Sequence, residues 1–477
     1  MTPSGADILL VAVNARYSHC AFAARTLKAN LGALAARARI LETDLDVTPL
    51  QLASQIAEAQ PRIVGFSVYL WNVRLVEATA RILRQVAPDA RLAAGGPELT
   101  PNYACAALFD TVIVGEGETA FRAFCEHALS PSRTHELTHA RTNEIPRPPT
   151  NELTNSRTNE LLTVPEDPAT LALPYDLYTD DDLARRTVYV EASRGCPYAC
   201  AYCTSAGTGL RLIPLERLLP AFDALWRRGL RRFKFLDRSF NAPAAHAEAL
   251  LDFFLARAEP GMVLHFEINT DHLTDELVAR IAAFPPGALH LEAGIQTLNP
   301  QVAAAVGRSA DTARTLANLR RLTRETGSTV HADLIFGLPG EDEASFARGF
   351  NTLVTECAPP EVQVNLLKGL PGTRLARDAA ALGLAFNPEP PYELLRSDAM
   401  DFATLMRLQR FARCWELVHN RGHFPDEVRR LHARAEGDPY TLYQSLARQL
   451  AAAEGKLFAI SRPRLAALLN DFLTPHS

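Results

Sequence analysis

Three cysteines fall within eight residues, in the run Glu191-Ala-Ser-Arg-Gly-Cys196-Pro-Tyr-Ala-Cys200-Ala-Tyr-Cys203. Thiolates are soft ligands suited to zinc or to iron–sulfur centres. A closed structural zinc site takes four ligands, usually as two pairs from separate places. Here the spacing is C-x3-C-x2-C, three ligands on one loop with no nearby Cys or His as a fourth. On a four-iron cubane, three thiolates leave one iron free for an exogenous ligand. The pattern therefore suits a reactive centre, the plain alternatives being a zinc knuckle with a distant fourth ligand or three separate core thiols. The remaining cysteines (20, 105, 125, 357 and 414) are scattered singly, unlike a secreted disulfide framework. This usage implies a reducing, cytoplasmic setting.

The elements that must position this loop read as two α/β series. In the first, apolar runs at 8–13, 37–44, 62–70, 91–96 and 110–115 alternate with Leu/Ala-rich helical stretches near 19–36, 48–59 and 72–87. Such alternation predicts a parallel sheet covered on both faces, with ligands at its carboxyl edge. In the second series, strands are predicted at 187–192, 232–237, 263–269, 288–294, 329–337 and 361–369, separated by helices at 215–228, 243–258, 274–284, 311–326 and 343–356. Six β/α units predict a partial barrel with its reactive groups on loops at the carboxyl ends of the strands. The cysteine loop directly follows the first of them.

Between the two series, residues 131–165 repeat a unit like Arg-Thr-Asn-Glu-Leu around a Pro-rich centre, a composition that buries too little apolar surface to offset ordering entropy. The expected organisation is a Rossmann-like domain over 1–130, a linker over 131–170, a partial barrel over 171–389 and a helical domain over 390–477. The chain has 477 residues, 49 basic and 54 acidic. That balance argues against a dedicated nucleic-acid binder. The longest charge-free stretches, Gly195–Leu210 around the cysteines and Ala293–Gly307 with its Gln, Asn and Pro, both fall short of the ~18 apolar residues of a membrane span. The first residues have no basic region before their apolar run and read as a strand, not a signal peptide.

The cysteine loop resembles the cluster loop of the radical S-adenosylmethionine (SAM) superfamily, and the domain order resembles its cobalamin-binding subgroup. Within that subgroup, VNARYSH (13–19), SVYLWN (67–72), VYVEASRGCPYACAYC (188–203), FKFLDRSFN (233–241) and the tail resemble enzymes with a helical C-terminal domain of unknown function. The resemblance implies that Cys196, Cys200 and Cys203 bind a [4Fe-4S] cluster whose fourth iron is chelated by SAM. One electron from a flavodoxin- or ferredoxin-type donor would then cleave SAM to methionine and a 5′-deoxyadenosyl radical. It further implies SAM contacts by Tyr202, Asp237, Arg238, Glu292, Gln296, Gly337 and Gly340. Asp237 is a substitute by position only, since the superfamily's usual Gly-Gly-Glu stretch is absent.

For cobalamin, Ser67-Val-Tyr69, then 25 residues, then Gly95-Gly96 resembles the Ser-x-Leu…Gly-Gly spacing of B12 domains, with Gly115-Glu116-Gly117-Glu118 as the following loop. The lower-ligand motif D-x-H-x-x-G is absent, although His19 lies near its place. The leading expectation is a cobalamin-dependent enzyme that methylates an unactivated centre of an unidentified small molecule or peptide. The rivals are rearrangement, cyclisation or another transfer, a methylthiotransferase with a second cluster on Cys20, Cys105 and Cys125, and a cofactor-based sensor.

Overall fold

The computed structural model describes residues 6–130, 153–154 and 159–474. Most of the expected linker lies outside the described residues. The chain divides into two compact units, Met1–Val190 with Arg211–Phe233, and Glu191–Leu210 with Lys234–Ser477.

The first unit starts with β1 (Ile8–Asn14), α1 (Phe22–Ala29), β2 (Ala38–Asp44), α2 (Pro49–Glu58), β3 (Ile63–Ser67), α3 (Val73–Val86), β4 (Arg91–Gly95), β5 (Thr111–Val114) and α4 (Glu118–Leu129). Two further strands, β6 (Leu153–Thr154) and β7 (Glu160–Leu162), extend the sheet to the order β2-β1-β3-β4-β5-β7-β6. Only β6 runs antiparallel to its neighbour. Alternation along β1 sends Leu9, Val11 and Val13 to one apolar layer with Leu52, Ile56 and Val76. Ile8, Leu10 and Ala12 join Ala24, Phe121 and Cys125 in the opposite layer. Both faces are thus covered, which is why these strands read as unbroken apolar runs. α2 begins where Thr48 and Gln51 form a reciprocal capping box ahead of Pro49.

One expectation changes here. The segment from Glu160 onward is not linker, because β7 pairs in parallel with β5. Glu160 is buried and its carboxylate accepts the Asn102 and Tyr103 amides at 2.9 and 2.8 Å. After β7 come α5 (Asp180–Arg185) and β8 (Val188–Val190). Four charged side chains of this unit form a closed, buried ring. Arg25 meets Glu42 at 3.0 Å and Asp182 at 2.8 Å, while Arg186 meets Glu42 at 2.8 Å and Asp182 at 2.9 Å.

Two-residue strands β9 (Ser193–Arg194) and β10 (Arg211–Leu212) bracket the cysteine loop and are followed by α6 (Leu215–Arg227), β11 (Arg232–Phe235) and α7 (Ala244–Leu255). The series continues through β12 (Val263–Ile268), α8 (Asp275–Ala282), β13 (Leu289–Gln296), α9 (Pro300–Ala305), α10 (Thr312–Glu325), β14 (Thr329–Phe336), α11 (Glu343–Thr352) and β15 (Glu361–Leu366). Strands β8 and β11 to β15 form one six-stranded sheet in sequential order, as six β/α units require. On β12, β13 and β14 every second residue is buried (Leu264, Phe266 and Ile268; Leu289, Leu291 and Ala293; Val330, Ala332 and Leu334). The alternating positions are half-buried and polar, among them His265, Glu267, His290, Glu292, His331 and Asp333.

The chain ends with α12 (Arg374–Arg377), the antiparallel pair β16 (Ala385–Phe386) and β17 (Leu394–Arg396), and helices α13 (Phe402–Trp415), α14 (Pro425–Ala435), α15 (Pro439–Glu454) and α16 (Arg462–Leu473). The expected all-helical tail from 390 therefore opens with a short strand. Its core is aromatic, with Phe350 set edge-on to Phe411 and Trp415 at 4.9 and 4.8 Å. No helix among the described residues is long and apolar enough to cross a membrane.

Candidate active site

The cysteine loop is braced at both ends. At its start, the buried Asp237 carboxylate accepts the Ala192 amide at 2.9 Å and the Ser193 hydroxyl at 2.5 Å. Burial pushes this carboxyl up to about 6 despite those bonds. Next along, Arg194 forks onto Glu191 at 2.9 to 3.2 Å. Within the loop, the Cys196 amide donates to the Thr208 hydroxyl at 3.2 Å and the Cys203 amide to the Cys200 carbonyl at 3.1 Å. The Ala201 amide donates to the Val306 carbonyl at 2.9 Å. Gly307 makes this approach possible: its φ is +75°, and a Cβ there would lie 2.8 Å from the Ala199 carbonyl oxygen.

Polar groups surround all three sulfurs. The Ser205 amide lies 3.4 Å from Cys203 Sγ, Arg308 lies 3.8 Å from Cys200 Sγ, and the Ser239 hydroxyl lies 3.9 Å from Cys196 Sγ. Burial raises the Cys203 thiol, while the Ser205 amide and the Arg238 charge act in the opposite sense. Hydrogen bonds and positive charge at sulfur tune the potential of a thiolate-held cluster. The set of three soft ligands, with donors at Cys200 and Cys203 and a hydroxyl near Cys196, fits an iron–sulfur cluster.

Arg308 is the residue that the sequence reading missed. It ends the charge-free run from Ala293, and its guanidinium donates to the Gly294 carbonyl and approaches the Tyr202 hydroxyl at 3.4 Å. Tyr202 therefore has its side chain turned to Arg308. Gln296 is the last residue of β13 and has φ +69°. Gly337 and Gly340 lie in the turn after β14. Arg238 pairs with Glu267 at 3.3 Å.

Three carboxylates expected to contact ligands have protein partners in this structure. Asp237 braces the loop, as described. Glu292 lies four residues before the end of β13, and its carboxylate sits 2.6 Å from His265 Nε2 and 3.6 Å from Lys234. Glu116 is held by Arg211 at 3.0 Å and by the Glu166 amide at 2.9 Å.

Glu341 follows Gly340 in the turn after β14. It is buried, accepts the Thr297 hydroxyl at 2.6 Å on one oxygen, and has no hydrogen-bond partner on the other among the described residues. Burial raises its carboxyl from 4.5 to about 7. Because the folded value exceeds the unfolded one, this group's contribution is full below about 4.5 and is lost as pH rises through about 7. Glu341→Gln, which cannot ionise, is expected to keep its urea midpoint between about pH 4.5 and pH 7, where the parent declines.

In the first unit, strand order reverses between β1 and β3, the switch point where open parallel sheets bind ligands. Ser67 ends β3 and pairs with Gly95, the last residue of β4. Just beyond, Tyr69 stacks on the half-exposed Trp71 at 4.4 Å, and Trp71 Nε1 donates to the Val13 carbonyl at 3.0 Å. Gly96 has φ +130°, and a Cβ there would collide with the Val68 carbonyl oxygen. Gly115 and Gly117 flank Glu116, and the buried Glu118 begins α4. His19 Nδ1 lies 2.5 Å from the Tyr189 hydroxyl.

Cys20, Cys105 and Cys125 do not gather. Cys125 is buried in the layer containing Ile8 and Phe121, whereas Ala106, next to Cys105, packs into the opposite layer of the same sheet. Cys20 donates to Asp182 at 3.6 Å. The second cluster of a methylthiotransferase has no site on these thiols.

Family models match three successive parts of the chain. They are a B12 binding domain over residues 8–125, the radical SAM superfamily over 190–352 and a protein of unknown function (DUF4080) over 380–476. This is a radical SAM superfamily protein with an amino-terminal B12-binding domain. More particularly, it is of the kind that ends in a DUF4080 domain.

The cobalamin-dependent radical SAM methyltransferase TokK of Streptomyces tokunonensis is 25% identical over 344 residues, 69% of this chain and 50% of TokK. The chain spans about half the length of the first curated relatives it matches. Two solved structures share the fold. The cobalamin-dependent SAM radical enzyme OxsB with aqua-cobalamin bound has a TM-score of 0.64 at 14% identity, covering 98% of this chain and 75% of OxsB. The radical SAM methyltransferase TsrM of Kitasatospora setae, with cobalamin and a [4Fe-4S] cluster bound, has a TM-score of 0.59 at 20% identity, covering 84% of each chain.

Proposed function

We propose that this protein is a cobalamin-dependent radical SAM enzyme that methylates an unactivated centre of a small-molecule or peptide substrate. The observation that carries the reading is the braced three-thiol loop after β8, with an amide donor at Cys203, a cation at Cys200 and a hydroxyl near Cys196. When bound, a [4Fe-4S] cluster supplies the electron for reductive SAM cleavage and cobalamin supplies the methyl group.

The protein's own residues have separable tasks in this scheme. Cys196, Cys200 and Cys203 hold iron, and Asp237 fixes the start of their loop through Ala192 and Ser193. Arg308 sets a permanent positive charge beside Cys200, which favours the thiolate and the added electron. We assign SAM contact to Tyr202, Arg238, Gln296, Gly337 and Gly340, which lie at or beyond the ends of β8, β11, β13 and β14. Cobalamin contact is assigned to Ser67, Tyr69, Gly95, Gly96, Gly115 and Gly117, with Trp71 added by its stacking on Tyr69. The electron donor is a flavodoxin or ferredoxin of the cytoplasm. All eight cysteines being free thiols suits that reducing setting.

The test is anaerobic turnover after loading with iron, sulfide and hydroxocobalamin, with SAM products read by mass spectrometry. Methyl transfer predicts S-adenosylhomocysteine together with 5′-deoxyadenosine. Deoxyadenosine alone would favour rearrangement or cyclisation, and neither product would favour a sensor. Gly96→Ala is expected to lower corrinoid affinity roughly tenfold, the effect of 1–2 kcal/mol of strain at a binding turn. Cobalt per chain should fall at limiting corrinoid while iron per chain stays constant.

A further inference from the structure

His-x-acid occurs on three consecutive strands, as His265-x-Glu267, His290-x-Glu292 and His331-x-Asp333. The two-residue period puts all six on the half-buried face of the sheet. The imidazoles pack together near the amino ends of β12, β13 and β14, with His265 and His290 stacked at 4.4 Å and His290 and His331 at 5.9 Å. The cysteine loop, by contrast, follows a carboxyl end.

Two sets of ligand atoms each lie within 4.8 Å of one another: His265, His290 and Glu292, and His290, His331 and Glu361. His290 is common to both. Its Nε2 is buried and has no hydrogen-bond partner among the described residues, which is costly for an imidazole nitrogen unless a ligand completes it.

The charge balance has the same sense. Arg238 offsets Glu267 at 3.3 Å, and Lys234 offsets Glu292 at 3.6 Å. Asp333 and Glu361, both within 3.6 Å of His331, have no Lys or Arg ion pair among the described residues. Partly buried carboxylates without such a partner favour a divalent cation.

We propose that His290, with His265 and Glu292 on one side and His331 and Glu361 on the other, forms a site for a divalent transition metal of the zinc class. Imidazole and carboxylate donors suit zinc better than calcium or magnesium. Its ligands come from adjacent parallel strands, β12 and β13 in the first set and β13 to β15 in the second, so an ion in either set clips amino ends together at the edge of the sheet that in barrels serves stability. The site is independent of the SAM and cobalamin chemistry proposed above.

The test uses full-length protein carrying its iron–sulfur complement, equilibrated anaerobically with Zn²⁺ and desalted. One zinc per chain is expected by elemental analysis, with nitrogen and oxygen scattering only in the zinc absorption spectrum and iron per chain unchanged. His290→Gln and the isosteric Glu292→Gln should each bind zinc at least tenfold more weakly while keeping the parent's iron content and circular dichroism. Cys200→Ala should keep its zinc even where it loses iron, which separates this proposal from the cluster assignment. Failure to retain zinc, sulfur scattering at about 2.3 Å, or parental zinc affinity in both folded variants would overturn it.

Discussion

Cys200→Ala is expected to abolish reductive SAM cleavage, lowering deoxyadenosine formation at least ~1,000-fold, which is about 4 kcal/mol of barrier. The reason is geometric and chemical together. Cys200 is the middle ligand of a loop whose flanks are pinned by backbone bonds from Cys196 and Cys203, so no nearby thiol can swing in to replace it. The remaining five cysteines are all remote in sequence. Of these, Cys125 is buried in the apolar layer of the first unit and its thiol is pushed up to about 12 by that burial, so it is a poor ligand. Iron and sulfide analysis of anaerobically reconstituted protein is the first check, and the visible spectrum the second. A variant that keeps a full cluster and still yields deoxyadenosine at the parent rate would remove Cys200 from the site.

The second large effect is on stability. Arg25→Met is expected to destabilise the fold by about 3–5 kcal/mol, because it leaves buried carboxylates without half of their counter-charge. Glu42 and Asp182 are each held by both Arg25 and Arg186, and removing one cation strands the pair. The pH dependence carries a sign. The partners hold Glu42 below the usual carboxylate range and Asp182 down to about 2. A depressed carboxylate contributes stability above its unfolded value and loses it as pH falls towards the folded one. The gap between parent and variant should therefore be widest near neutrality and narrow between about pH 5 and pH 3. Urea midpoints of the two proteins across that range check both magnitude and sign, and a gap that widens in acid would show that the ring is not a source of stability.

Much of this architecture was legible from local pattern. The eleven runs selected as strands all became strands because each is an apolar or alternating segment bounded by turn residues, and the helices between them have apolar faces to match. Strand β7 was not legible. Glu160-Leu-Leu162 continues a low-complexity repeat, and it becomes a strand through pairing with β5 and through two amides that draw the Glu160 carboxylate inward. Partners so distant leave no trace in a short window of sequence.

The candidate site divides in the same way. The cysteines were legible because their chemistry needs a fixed spacing on one loop. The carboxylates were not, because position at a strand end does not say which group a carboxylate meets. Glu292 lies near the end of the strand predicted over 288–294, yet β13 runs on to Gln296 through an irregularity at Gly294, which leaves Glu292 deeper and beside His265. Arg308 reaches Cys200 across more than a hundred residues of sequence. The histidines opposite the cysteine loop did carry a signal, a two-residue period repeated on three strands, visible once the strands are aligned in register.

The ring of Arg25, Glu42, Asp182 and Arg186 also bears on how the gene can be recombined. A chimera made by exchanging the amino-terminal domain between relatives would naturally be cut in the low-complexity stretch, where sequence seems to matter least. That cut parts Arg25 and Glu42 from Asp182 and Arg186 and puts the two contacts that close the ring, Arg25 to Asp182 and Arg186 to Glu42, between different parents. The modular boundary suggested by composition is therefore a poor crossover point, and one placed after Arg186 keeps all four charges with a single parent.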